Sequence, residues 1–354
     1  MGKSFRMSYI AEFMEPEIWG KFPEDLFEFV LARLPIAIIF RFRIVCRQWN
    51  NLLTTQRFYQ HFDQVSQENP WFCTTYGNNK YGAIYDPFMK RWHCSTVTEE
   101  VPVLPVSSAG GLVCFCDKSY QDLYVCNPLN QSFKKLPTGS IKICFHLGMS
   151  TNGSAGYKVL RLGCNRDYEI YDSIIKFWGH LGQIPASIEL LGFSNFNPIA
   201  IGNTLYFMNT VHEGIVSCDT STGVWAHHLI PAPLLSSDLK LVQCDAWIML
   251  VGMVKENDVA YVCIWELEKM TFLFKEVDRM PCLEFHRGSV YLTCLGDKGL
   301  IMLYLKSCYN DMHLMFTYNI ATREWLKVPV PYGIKLHKKK LCRTAFQPSL
   351  TAMP

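Results

Sequence analysis

The chain has 354 residues, a formal net charge of +3, 49% hydrophobic residues and 18% charged residues. That content fills a sizeable core, excludes long disordered tails, and gives no electrostatic reason to expect nucleic acid as a direct partner. Fifteen cysteines are scattered without a C-x-x-C pair, which points to buried free thiols in a reducing compartment rather than a disulfide framework or zinc knuckle. Residues 1–9 hold no apolar signal core, and the longest apolar run, residues 29–40, is broken by Arg33 and Pro35. A membrane helix needs roughly 20 apolar residues. The expectation is a soluble protein of the nucleus and/or cytoplasm, with no membrane contact. The sequons at Asn130 and Asn152 are then chance matches.

The first predicted elements are helical. Pro23 fits a helix start, and Glu24 and Asp25 place negative charge where the helix dipole favours it. Leu26, Phe27, Val30, Leu31 and Leu34 follow at helical spacing. Pro35 ends this helix and starts a second, which carries Ile36, Ile38, Ile39 and Phe40. A third helix is expected over residues 43–53, with Val45, Cys46, Trp49, Leu52 and Leu53 on one side. Three helices in about 45 residues cannot bury so many large side chains among themselves. The surplus meets either a partner or the domain that follows.

From residue 70 the pattern changes to short strands, and a motif recurs: Asp, Asn or Glu, then an aromatic residue six positions later. The pairs are Asp86 and Trp92, Asn127 and Phe133, Asp172 and Trp178, Asp219 and Trp225, Glu266 and Phe272, and Asn319 and Trp325. The anchors lie 41, 45, 47, 47 and 53 residues apart, which is the spacing of propeller blades. Each anchor side chain is expected to cap the turn that follows it, because Asp and Asn bond backbone two residues on. Each aromatic is expected on the paired strand, packed between blades. Nearly continuous apolar runs starting at Gly110, Asn203, Ala246 and Gly299 read as inner strands sandwiched on both faces. Residues 157–162 alternate more and read as less central. Residues 345–348 echo the first anchor strand and fit either a closing strand for the first blade or a degenerate seventh blade.

Two resemblances join these observations. Residues 22–53 resemble the F-box: Phe22-Pro23, an apolar helix, Leu34-Pro35, then Val45-Cys46-Arg47-Gln48-Trp49. The resemblance implies binding to a Skp-family adaptor and, through it, to a cullin. The residues implied in that contact are Phe22, Pro23, Leu26, Leu34, Pro35, Val45, Cys46 and Trp49. The remainder resembles the kelch-type propellers of plant F-box proteins, closest to the branch that includes LEAF CURLING RESPONSIVENESS. The carrying segments begin at Ser108, Gly156, Tyr168, Cys263 and Thr322. The double glycine of kelch repeats survives clearly only at Gly110-Gly111. The implied architecture is α+β multidomain: a small all-α F-box at residues 15–62, then an all-β six-bladed kelch-like propeller at residues 70–350. The implied function is substrate recognition in an SCF-type ubiquitin ligase, with a target protein held on the propeller rim. The alternatives are a transcriptional co-regulator without a degradation role, and a propeller that binds a small ligand or acts as an enzyme.

The sequence shows no catalytic constellation. There is no P-loop or G-x-G-x-x-G, and Gly153-Ser154-Ala155-Gly156 has the wrong spacing for a nucleophile elbow. His227 and His228 are strand neighbours that point to opposite faces, and Cys114 and Cys116, about 7 Å apart on one face, have no third ligand. No metal, cofactor or catalytic residue is expected. The basic run at residues 335–340, with Arg343, reads as a solvated loop or as a nuclear localisation or phosphate-binding patch.

Overall fold

The computed structural model describes residues 23–65, 70–76, 81–96, 103–117, 121–142, 144–151, 156–188, 198–209, 214–234, 236–245, 247–257, 259–268, 270–281, 290–307, 312–329 and 344–354. It divides into two compact units, Met1–Ser66 and Gln67–Pro354. No helix among the described residues is long and apolar enough to cross a membrane.

The first unit holds four helices: α1 (Glu24–Ala32), α2 (Ile36–Phe42), α3 (Arg47–Leu53) and α4 (Gln56–Gln64). Pro23 and Pro35 are the N-caps of α1 and α2, and each offers its carbonyl to the first turn: Phe27 N–H donates to Pro23 O, and Ile38 and Ile39 N–H donate to Pro35 O. A proline loses nothing there, because an N–H at that point has no helical partner. The third helix starts at Arg47, later than the sequence pattern suggests. Arg43–Val45 form a turn, and Cys46 is extended at φ −157°. The fourth helix was not expected. Thr55 caps it by accepting from Phe58 N–H at 3.1 Å, and Phe58 and Phe62, one turn apart, are fully buried. The core of the unit is Leu31, Ala32, Ile36, Ile39, Leu53, Phe58 and Phe62.

The second unit is six four-stranded antiparallel sheets. Blade 1 comprises Thr344–Phe346, Trp71–Tyr76, Tyr81–Asp86 and Arg91–Thr96, in that order from the axis. Blades 2 to 6 follow within residues 103–135, 144–183, 199–229, 236–281 and 290–327. Their innermost strands contact one another in a closed circuit, into which Thr344–Phe346 fits between blades 6 and 2. That strand pairs Phe346 with Trp71, Ala345 with Phe72 and Thr344 with Cys73. Residues 344–346 are therefore the closing strand of blade 1 and not a seventh blade, and the ring has no open edge at the seam.

The apolar runs expected as inner strands are the second strands of their blades. Their side chains are mostly buried because a sheet covers each face. Five of the six innermost strands are short or bulged, with register shifts at Pro105/Ser107, Cys144/His146 and Ser237/Lys240; that of blade 6, Val290–Asp297, pairs in continuous register. Tyr157–Gly163 is likewise a second strand and is buried along almost its whole length, contrary to the expectation that it is less central. Its polar positions are buried because they are paired. Arg161 Nη1 donates to Glu169 Oε1 at 3.0 Å and Nη2 to Ile141 O at 2.7 Å, while Glu169 also accepts from Ser140 N–H and Oγ–H. Lys158 Nζ donates to Thr220 O and lies 3.6 Å from Asp172 Oδ2.

Five anchors work as the sequence suggests. Oδ1 of Asp86, Asn127, Asp172, Asp219 and Asn319 accepts from the N–H of Phe88, Leu129, Ile174, Ser221 and Ala321, at 2.7–3.0 Å. In each blade the residue before the anchor pairs with the distant aromatic, as Tyr85 does with Trp92 and Cys218 with Trp225. The residue four after the anchor is left-handed: Lys90, Gln131, Lys176, Gly223 and Arg323. Trp178 and Trp92 staple blades together by donating to Pro137 O and Pro329 O, each two residues past the last strand of the preceding blade, and Trp325 donates to Asp278 of blade 5. Phe133 is 42% exposed and stacks on Tyr124 within its own blade instead of packing between blades.

Blade 5 departs from the expected register. Leu267 pairs with Phe274, Phe272 N–H donates to Glu268 O, and the left-handed residue is Phe272 at φ +54°. The anchor position is therefore Glu268 and its aromatic is Phe274; Glu266 lies inside the strand opposite Lys275. The segment Trp265-Glu266-Leu267-Glu268 offers an acid with an aromatic six residues on in both registers. Periodicity alone cannot choose between them, and strand length decides.

Candidate functional site

The helical unit presents large apolar side chains that its own core does not use. On α1, Leu31 and Ala32 face inward while Leu26, Phe29 and Val30 are exposed. Positions 26, 29 and 30 share one helix face, and 27, 28 and 31 share the other. On the turn before α3, Ile44 is 85% and Val45 65% exposed, and Cys46 is exposed beside them. Arg33 after α1, Arg41 on α2 and Arg47 at the start of α3 are also exposed.

Polar and aromatic contacts hold this surface in place. Glu28, buried on α1, lies 3.3 Å from Arg57 Nε and 3.4 Å from His61 Nδ1 of α4. The Phe29 ring stacks on His61 with centroids 4.4 Å apart. Trp49 on α3 stands edge-to-face with Phe27 at 5.4 Å and with Phe42 at 4.8 Å, so one indole joins three helices. Arg43 Nε donates to Asn50 Oδ1 at 3.2 Å, which fixes the turn that carries Ile44 and Val45.

The expected contact residues divide accordingly. Pro23, Leu26, Val45 and Cys46 are exposed; Leu34 and Pro35 are half-buried; Trp49 is half-buried within its aromatic trio. Phe22 lies outside the described residues. Phe29, Val30 and Ile44 were not singled out as contact residues from the sequence. The signal was present for two of them, since Phe29 and Val30 are three and four residues on from Leu26.

The arrangement is suited to binding by burial. Covering a Val, Leu, Ile or Phe side chain contributes about 1.5–3 kcal/mol, and five such residues stand here. The propeller adds no reactive cluster among its described residues. His228 Nε2 is 2.9 Å from Ser217 Oγ, and His227 lies beside Gly214. Cys114 and Cys116 are fully buried, and burial pushes the Cys114 thiol up in pKa. No group of three His, Cys, Asp or Glu among the described residues is placed to hold a metal ion. The basic run at 335–340 and the segment Gly153-Ser154-Ala155 lie outside the described residues, as does Asn152.

The family model for the F-box domain matches residues 19–61, which take in the first three helices and most of the fourth. F-box only protein 6 of Arabidopsis thaliana is 47% identical over 360 residues, covering 96% of this chain and 76% of the relative. An F-box/kelch-repeat protein of the same plant is 26% identical over 94% of this chain and 90% of its own length. Protein UNUSUAL FLORAL ORGANS, also from Arabidopsis thaliana, is 23% identical over 91% of this chain and 81% of its length. The likeness runs through helices and blades alike, and on that ground the chain belongs to the F-box family, in its kelch-propeller group.

Proposed function

We propose that the chain is the substrate-recognition subunit of an SCF-type ubiquitin ligase, within the branch that includes LEAF CURLING RESPONSIVENESS. The exposed apolar side chains Leu26, Phe29 and Val30 of α1 and Ile44 and Val45 of the turn before α3 dock a Skp-family adaptor, with Pro23, Leu34, Pro35 and Cys46 at or near the contact. Cullin joins through the adaptor. Trp49 supports the surface from behind. The propeller holds a target protein on a rim of loops, the part of such a fold free to vary without disturbing the sheets.

The observation that carries this reading is the exposure of so many apolar side chains, on α1 and on the turn before α3, in a unit with a core of its own. The chain itself is non-catalytic. It raises the effective concentration of target near a ubiquitin-loaded enzyme, so it needs no nucleophile or base. The work is placed in the nucleus and/or cytoplasm, in keeping with the buried free thiols and the basic run at 335–340.

The test is a Leu26→Asp/Val45→Asp double variant of the full chain. Both positions are exposed, so the fold is kept. Losing two buried contacts weakens adaptor binding by roughly a hundredfold or more. Affinity capture with the proteasome blocked is expected to bring down adaptor and cullin with the parent chain only. Proteins retained by both forms, and accumulating under the block, are degradation targets; retention without accumulation points to the co-regulator role. Adaptor capture by the double variant would overturn the assignment of the surface.

A further inference from the structure

Residues 347–354 follow the closing strand and run from blade 6 to blade 2. Gln347 Nε2 donates to Asp297 Oδ2 of blade 6 at 3.2 Å. Asn127 of blade 2, itself fully buried, donates both protons of its Nδ2 to this segment: to Ser349 O at 2.8 Å and to Ala352 O at 3.0 Å. Its Oδ1 remains the turn cap for Leu129 N–H. Leu350 is buried, and Ala352 packs on the core of blades 2 and 3. Gly111, at φ +84°, lies directly beneath: a Cβ there would sit 2.6 Å from Ser349 Cβ and 3.3 Å from Gln347 O.

Two comparisons within the molecule show a seat built for this segment. Blades 1, 3 and 4 place Asp at the anchor, which caps the turn equally well. In blade 2 an Asp would set its second oxygen against two carbonyl oxygens, and only an amide supplies donors. The second glycine of the pair that survives clearly in the sequence, Gly111 of Gly110-Gly111, stands where the strap presses on the turn.

We propose that residues 347–354 are a strap that latches the seam between blades 1 and 2, held by Asn127, and that its release opens that seam while the other blades stay folded. Two thiols report on the seam. Cys73 is opposite Thr344 in the closing strand, and Cys126 precedes Asn127. Both are buried. Burial pushes Cys73 up to about 12 and raises Cys126, with Cys73 adding to the latter, so both are unreactive while the strap is shut.

The experiment measures alkylation of individual cysteines at pH 8 by peptide mass spectrometry, on the full chain, on Asn127→Asp and on Asn319→Asp, the same substitution at the blade 6 anchor. Labelling of a transiently opened segment follows the population of its open form, so Asn127→Asp is expected to speed Cys73 and Cys126 by about tenfold or more. Cys263 and Cys294, buried in blades 5 and 6, keep the parent rate, and Asn319→Asp changes neither seam thiol. A chain ending at Phe346 is expected to show the same selective rise, reversed by adding the peptide of residues 347–354. Equal acceleration of all four thiols in Asn127→Asp, or acceleration of none, overturns the proposal.

Discussion

Phe272 is a bulky aromatic held at φ +54°, and it is 61% exposed. At the equivalent place in the other five turns stand Lys90, Gln131, Lys176, Gly223 and Arg323. A left-handed conformation costs an ordinary L-residue about 1–2 kcal/mol, and Asn, whose short amide bonds locally, tolerates it. Phe272→Asn is therefore expected to stabilise the propeller by about 1 kcal/mol or less. The check is a higher denaturant midpoint at unchanged slope. An Asn also avoids the unfolded-state entropy that a Gly would add. The contrast with Asn127 is instructive: there the residue type answers to a partner 222 positions away in sequence, and at Phe272 the cost of the residue type is local.

Among the elements, α4 shows how little sequence suffices once a cap is seen. Thr55 satisfies the Phe58 N–H, and Phe58 and Phe62 supply the buried face. Thr55→Ala is expected to cost about 1 kcal/mol, read as faster hydrogen exchange of the α4 amides with little change in the propeller. The helix escaped notice because its outward positions, Gln56, Arg57, Gln60 and Gln64, make the segment polar on average. In blade 5 the opposite difficulty holds: the motif is visible in two registers, and the longer strands, up to the ten residues of Trp247–Glu256, move the turn outward by two.

For the whole molecule, the buried thiols couple stability to pH. Burial raises Cys73, Cys218 and Cys244 to about 12 from an ordinary value of 9.0 and moves Cys114, Cys126 and Cys294 the same way. The folded state keeps these protons when the unfolded chain has lost them. Their contribution is complete below pH 9 and is lost as pH rises toward 12, by up to about 1.4 kcal/mol per pH unit per thiol. The thermal midpoint is expected to fall steeply above pH 9, and a Cys73→Ala/Cys218→Ala variant, compared with its own value at pH 8, to fall less. Equal slopes for the two chains count against the thiols as the cause. Thr344–Phe346 completes the circuit of innermost strands in the propeller, whose blades carry these buried thiols.

By itself the sequence determined the order of helices then blades, the caps of five turns, the closing strand and the family. These follow from bonds between near neighbours: Asp86 to Phe88, Asn319 to Ala321, a proline at the start of the first two helices. Such patterns repeat wherever the local geometry repeats, so six imperfect copies reinforce one another. The tertiary structure alone decided which apolar side chains of α1 are core and which are free, that Trp49 is wedged between Phe27 and Phe42, that Arg161 and Lys158 are buried by pairing, and that Asn127 and Gly111 form a seat. Each of these depends on residues distant in the chain arriving at the same place. An apolar helix has more than one face to offer, and only packing against the rest of its unit settles which one stays outside.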